Sequence, residues 1–236
     1  MPSEMAGWPR HGWVRLGEGW AAGLRCPPDE AGLDEVGLDK AGLDKAARAE
    51  VGDWCRAGRP LVIARGRPGD GVGALRLGLA TPDKRRIGLH VGTDAVAERR
   101  PPLPLAETAG SAPEGWRPML GDLARRALDL DAPAAVYGSL AWQHQTGLRY
   151  VRPDSDIDLL FTPSGRRSLE RVLALLAEAG DGTPRLDGEI LLPDGAAVAW
   201  RELAGRPARL LVKGPAAVEL RDLSAVLALF EREEAA

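Results

Sequence analysis

The chain has 236 residues, of which 28% are charged and 44% hydrophobic, and a formal net charge of −3. That length admits one large domain or two small ones, and the composition is ordinary for a soluble globular protein. The acidic balance argues against a nucleic-acid partner, since general nucleic-acid binders carry a basic surplus. No run approaches the roughly 18 apolar residues of a membrane span, and the first residues lack a signal-peptide apolar core. Cys26 and Cys55 belong to no metal or redox spacing, and His11, His90 and His144 are scattered. A cytoplasmic protein with no membrane partner is the expectation.

Residues 1–25 read as an irregular lead-in. A near-repeat follows, Ala31-Gly32-Leu33-Asp34, Val36-Gly37-Leu38-Asp39 and Ala41-Gly42-Leu43-Asp44. Its period of five fits neither a strand nor a helical face and is far shorter than a solenoid unit, so residues 31–45 read as an expanded surface loop. A short helix is predicted over 46–57, stopped by Gly58. Strands are predicted at 60–64, 75–79 and 86–91, with a hairpin turn at 68–71. The stretch 59–86 is rich in arginine and lysine, ending in Lys84, Arg85 and Arg86. It forms either a face for phosphates or an acidic partner, or a plain solvated surface.

Proline and small residues dominate 99–113, dividing a strand-rich N-terminal domain (1–105) from a second domain (113–236). Trp116, Met119, Leu120, Leu123, Ala127 and Leu130 then recur at helical spacing. A strand at 134–137, a helix at 140–145 and a strand bearing Asp156 and Asp158 come next. A second helix turns Leu169, Val172, Leu173 and Leu176 inward, with Gly180 just beyond its end. Strands at 184–192, 196–203 and 209–212 and a helix at 223–233 complete an α+β fold with a mixed, helix-flanked sheet.

The chemistry concentrates in Gly138-Ser139 and Asp156-Ile157-Asp158. Glycine between a strand and a helix lets a ligand approach the backbone, and the helix start favours an anion. Side chains two apart on a strand share a face, so the two aspartates project together and repel unless a cation joins them. All-oxygen ligation favours Mg²⁺, or Mn²⁺, over zinc. Asp154, Asp156 and Asp158 also mimic the start of a calcium loop. The sixth and twelfth positions hold Leu159 and Gly165 instead of glycine and glutamate, so that reading fails. Asp154, next to Pro153, reads as a turn residue.

A hydrophobic strand, Gly-Ser, a helix and Asp-x-Asp resemble the polymerase-beta-like nucleotidyltransferase superfamily. There a third carboxylate lies on a later strand, which implies Asp187, with Glu189 in reserve. The runs 137–143, 146–150 and 155–160 resemble one branch more closely, the malonate decarboxylase holo-acyl-carrier-protein synthases, or phosphoribosyl-dephospho-CoA transferases. Arg10-His11, Trp54, residues 58–62, Lys84-Arg85-Arg86, 187–189 and 199–203 fit the same branch. The likeness spans nearly the whole chain except the Gly-Leu-Asp repeats.

The resemblance implies transfer of phosphoribosyl-dephospho-CoA from 2′-(5″-triphosphoribosyl)-3′-dephospho-CoA to a serine of the apo acyl-carrier subunit of malonate decarboxylase. Asp156 and Asp158 would hold two Mg²⁺ ions against the triphosphate, and Asp187 would complete a metal site and orient the hydroxyl. Gly138 and Ser139 would bind the departing phosphates, and Lys84, Arg85 and Arg86 the CoA end or the carrier. A nucleotidyltransferase acting on a small hydroxyl compound, or a non-catalytic nucleotide-binding module, could keep the same scaffold.

Overall fold

A computed structural model describes residues 8–25, 43–66, 73–179, 182–215 and 217–231. The expected hairpin turn at 68–71, Gly180 and the repeats before Leu43 lie outside the described residues. The chain divides into two compact units, residues 1–102 and 103–236. No helix among the described residues is long and apolar enough to cross a membrane.

Among its described residues the first unit is a five-stranded antiparallel sheet with one α-helix. Its strands are β1 (Trp13–Leu16), β2 (Leu61–Ile63), β3 (Ala74–Ala80), β4 (Arg86–Gly92) and β5 (Val96–Arg100). They lie in the order β4-β3-β2-β1-β5. Strict alternation in β3 sends Leu75, Leu77 and Leu79 into the core. The lead-in was expected to be irregular, yet β1 sits between β2 and β5 with Trp13 and Val14 buried. Four residues between Gly12 and Gly17 are too short a run to show a period.

Helix α1 (Lys45–Arg56) buries Ala47, Val51 and Trp54. Its start corrects the reading of 31–45 as surface loop throughout. Leu43 is buried, and the Asp44 carboxylate accepts from the Ala47 N–H at 2.6 Å. That is an N-cap, satisfying one of the amides a helix start leaves unpaired.

The second unit is built on a seven-stranded mixed sheet. Its elements are β6 (Leu103–Pro104), α2 (Leu105–Thr108), α3 (Arg117–Asp129), β7 (Ala134–Tyr137), α4 (Gly138–Thr146), β8 (Ile157–Phe161) and α5 (Arg166–Ala179). They continue with β9 (Leu186–Leu191), β10 (Ala197–Ala199), α6 (Trp200–Ala204), β11 (Arg209–Lys213), β12 (Val218–Asp222) and α7 (Leu223–Leu229). The order is β12-β11-β10-β9-β8-β7-β6, antiparallel except for β8 and β9. A parallel pair needs a crossover, and α5 supplies it. The apolar face of α5 differs from expectation by one position: Leu175 is buried and Leu173 only partly so.

The α+β class, with a strand-rich N-terminal part and a sheet-and-helix C-terminal part, is the one expected. Two local readings change. Residues 200–204 turn into α6 instead of extending a strand, with Trp200 and Leu203 buried at helical spacing. Strand β12 was not expected, because four of its five residues are exposed and the fifth only partly covered, so no buried face marks it.

Candidate active site

Strand register assembles the acidic site. In the parallel pair Asp158 stands beside Asp187, and in the antiparallel pair it stands opposite Tyr137, the residue before Gly138. Neighbouring strands lie about 4.8 Å apart, so Asp158 and Asp187 are immediate neighbours on one face. Asp156 precedes β8 by one residue and lies on the same side as Asp158. Ile157 and Leu159 are fully buried on the other side.

Gly138 has φ +64°, and a Cβ there would lie 1.9 Å from Asp158 Oδ2. The glycine therefore makes room for the carboxylate of Asp158 itself, a role the sequence reading had given to a ligand. Ser139 follows in the first turn of α4 and is half-buried.

The three aspartates are in different electrostatic states. Burial pushes Asp158 up to about 6; the Asp187, Asp156 and Glu189 carboxylates add to the rise and Arg185 opposes it. Asp156 is held below the usual carboxylate range chiefly by its hydrogen bonds from Arg185, whose Nε lies 3.0 Å from Oδ1 and whose Nη2 grips Oδ2. Asp187 accepts from the Gly188 N–H at 2.8 Å and lies 3.9 Å from Arg185 Nη2. Glu189 is nearly buried and bound at 2.7 Å by Lys213 of β11. With its charge already matched, Glu189 is a poorer metal ligand than Asp187.

These residues suit a hard divalent cation in kind, being all-oxygen donors around an uncompensated Asp158. They are not gathered into a ready-made cage. Among the described residues, no three His, Cys, Asp or Glu side chains stand close enough to share one ion. Arg185 is the reason on the Asp156 side, since its guanidinium occupies both oxygens of that carboxylate.

Sequence reasoning gave no role to Arg185 or Arg201. Arg185 immediately precedes β9, and its carbonyl accepts from the Ile157 N–H at 2.9 Å, which fixes it beside Asp156. Arg201 lies over the Trp200 ring at 4.4 Å, donates to the Leu186 carbonyl at 3.2 Å and also lowers Asp156. An arginine two residues before Asp187 was visible; its partner 29 residues earlier was not, because only the parallel register reveals it.

Lys84, Arg85 and Arg86 belong to the first unit, at the β3–β4 turn. Lys84 takes φ +70°, and Arg85 pairs with Glu50 of α1 at 2.7 Å. Arg86 opens β4 and is exposed.

The connector from α4 to β8 is organised by Gln143. Its Oε1 accepts from the N–H groups of Tyr150 at 3.1 Å and Val151 at 3.0 Å, and its Nε2 donates to the Ser111 carbonyl at 2.6 Å. Trp142 stacks on Tyr150 at 6.0 Å between centroids. Gly147, at φ +68°, ends the helix with its N–H on the Gln143 carbonyl.

Compared with known families, residues 9–102 match the phosphoribosyl-dephospho-CoA transferase MdcG N-terminal domain, and residues 104–224 the MdcG C-terminal domain. A phosphoribosyl-dephospho-CoA transferase of Bradyrhizobium diazoefficiens is 40% identical over 173 residues, 72% of this chain and 76% of the relative. One from Xanthomonas campestris pv. campestris is 39% identical over 71% of the chain and 80% of its own length. One from Pseudomonas fluorescens is 31% identical over 70% and 78%. No solved structure matches the chain significantly.

Proposed function

The chain belongs to the phosphoribosyl-dephospho-CoA transferase family, and from that premise we propose that it builds a carrier-bound prosthetic group. The donor is 2′-(5″-triphosphoribosyl)-3′-dephospho-CoA, and the acceptor is a serine of the apo acyl-carrier subunit of malonate decarboxylase. The serine Oγ attacks the α-phosphorus, the bond to the β-phosphate oxygen breaks, diphosphate leaves, and a phosphodiester joins carrier and nucleotide. The observation that carries this reading is Asp158, set unpaired against Gly138 with Asp187 beside it on the parallel strand.

Asp156, Asp158 and Asp187 would hold Mg²⁺, or Mn²⁺, which when bound would neutralise the triphosphate and stabilise the leaving diphosphate. Asp187, an exposed carboxylate with one oxygen on the Gly188 amide, would orient the incoming hydroxyl and take its proton. Arg185 is placed to trade Asp156 for a phosphate oxygen as the donor arrives. Gly138 and Ser139 would lie against the departing phosphates at the start of α4. Lys84 and Arg86, which have no ion pair among the described residues, would meet the CoA end or the acidic carrier, with Arg85 tied back to Glu50. Most of the rate then comes from positioning and charge neutralisation.

Intact mass of an authentic apo carrier tests the reading after incubation with enzyme, Mg²⁺ and the donor. The expected result is one phosphoribosyl-dephospho-CoA adduct with wild type and none with Asp156→Asn or Asp158→Asn. An unmodified carrier with wild type, or full adduct formation by either variant, overturns it.

A further inference from the structure

Between residues 111–117 and the loop that follows α4 lies a cleft of about 590 Å³. That volume is in the range of small-molecule sites. Arg117, Arg149 and Arg152 line it together with Trp116, Leu148 and Gln143, and among the described residues no acidic side chain does. Arg117 donates from Nε to the Ala112 carbonyl at 2.9 Å, which leaves its terminal nitrogens for a ligand. Arg149 and Arg152 form no side-chain hydrogen bond or ion pair among the described residues. Several other arginines of this unit are taken up by carboxylates, Arg125 by Asp122 and Asp129, Arg166 by Glu170, Arg221 by Asp194 and Glu219, whereas Arg167 and Arg171 are not.

Single unpaired guanidiniums are ordinary on a surface. Three guanidiniums around one concavity, two of them unpaired and the third bound only to a backbone carbonyl, with no opposing carboxylate, focus positive potential inward. The cleft is also structurally fixed. Through its amide, Gln143 ties the Ser111 wall to the Tyr150–Val151 wall, so the arginine-bearing loop is held in place before any ligand arrives.

The cleft lies close to the acidic site along the chain. Gln143 is five residues into the helix that opens at Gly138, about 7.5 Å along its axis. Arg152 is four residues before Asp156, at most about 14 Å away. The donor of the proposed reaction has two anionic parts, the reactive triphosphate and the diphosphate that joins adenosine to pantetheine, separated by two linked riboses. Carboxylates repel bare phosphate and need a cation to receive the triphosphate. Guanidiniums receive a diphosphate directly and can do so in bidentate fashion.

We infer that this cleft binds the adenosine diphosphate portion of the CoA-derived donor, with Arg149, Arg152 and Arg117 around the diphosphate and Trp116 and Leu148 beside the nucleoside. The inference rests on the proposed transfer reaction for its choice of ligand. An acidic carrier helix is the rival occupant. A helix about 10 Å across would fill 590 Å³ in about 7.5 Å, under one and a half turns, so the volume suits a nucleotide better.

The test is calorimetric titration of the full chain with 3′-dephospho-CoA in the presence of EDTA. Wild type should bind without metal, and the double variant Arg149→Ala/Arg152→Ala should bind at least tenfold more weakly. Both side chains are exposed, so an unchanged thermal melt is expected and serves as the folding control. Tripolyphosphate with Mg²⁺ should bind both proteins equally. Failure of wild type to bind dephospho-CoA, or equal binding by the folded double variant, overturns the inference. In the transfer assay the double variant should raise the donor KM and leave the carrier KM unchanged. A raised carrier KM with an unchanged donor KM assigns the cleft to the protein partner and also overturns it. If wild type fails to modify the carrier at all, the reaction reading falls and the titration alone decides the cleft.

Discussion

Asp158 carries its carboxylate over the bare backbone of Gly138, in a place where its charge is poorly solvated and faces three other carboxylates. An ordinary aspartate titrates near 3.9, and this one is pushed up to about 6. The folded state therefore holds this proton more tightly than the unfolded chain does. Stability falls as pH rises from about 4 to about 6 and stays lower above that range. Two pH units correspond to about 2–3 kcal/mol. At pH 8, Asp158→Asn should raise the unfolding free energy by roughly 1–2 kcal/mol and Tm by several degrees, while abolishing transfer. At pH 4 the gain should vanish. Urea melts of both proteins at the two pH values check this, and a variant less stable than wild type at pH 8 would contradict the account. Wild-type activity should likewise fall as pH drops through about 6, with excess Mg²⁺ moving that limb lower. The pair of aspartates was legible in the sequence because a strand has a period of two. The raised state of Asp158 was not, since it comes first from burial under the folded chain and then from neighbouring carboxylates, two of which, Asp187 and Glu189, stand on another strand. Nor was the grip of Arg185 on Asp156, which turns one member of the pair from a free ligand into a clasped one.

At the scale of elements, the site depends on how closely β9 approaches β8. Gly188 takes φ +139°, and a Cβ there would lie 1.9 Å from the Leu159 carbonyl oxygen. Backbone cannot yield as a flexible side chain can, so Gly188→Ala must push the two strands apart or break their pairing. The expected cost exceeds about 3 kcal/mol, from strain at positive φ added to the clash. Loss of transfer should accompany it, because the same register sets Asp158 beside Asp187. A variant with wild-type urea stability would show that the strands can part cheaply. A glycine inside a strand is a sequence signal for close approach, but its target is a strand 29 positions earlier and cannot be read locally. Elements with a long apolar period, α3 and α5, were legible almost to the residue. Among short or exposed ones the result was mixed: β2 and the four-residue β7 were legible, others were not. Strand β1 has four residues, β12 has no buried face, and α6 follows β10 without a break. The cap at Asp44 was hidden inside a repeat whose other copies suggested only loop.

At the scale of the molecule, the chain is two compact units that meet in sequence between Pro102 and Leu103. Composition marks 99–113 as a change of character, since prolines and small residues cluster there, but it does not say which residues serve the second sheet. Leu103 and Pro104 pair with Val136 and Ala135 of β7, and α2 packs on α3, α4 and β7. Leu103, Leu105 and Thr108 are buried. A fragment beginning at Leu103 should therefore fold by itself as a cooperative unit. One beginning at Pro113 lacks an edge strand and two buried leucines, each worth about 1.5–3 kcal/mol. That loss is a large share of the roughly 5–15 kcal/mol a domain has, and it bares β7 as an unpaired edge. The shorter fragment should unfold at markedly lower urea and elute as aggregate in gel filtration, while the longer one remains monodisperse. Equal urea midpoints for the two fragments would mean that β6 and α2 are dispensable, and that β7 and β8, the strands of the candidate site, hold their register without them.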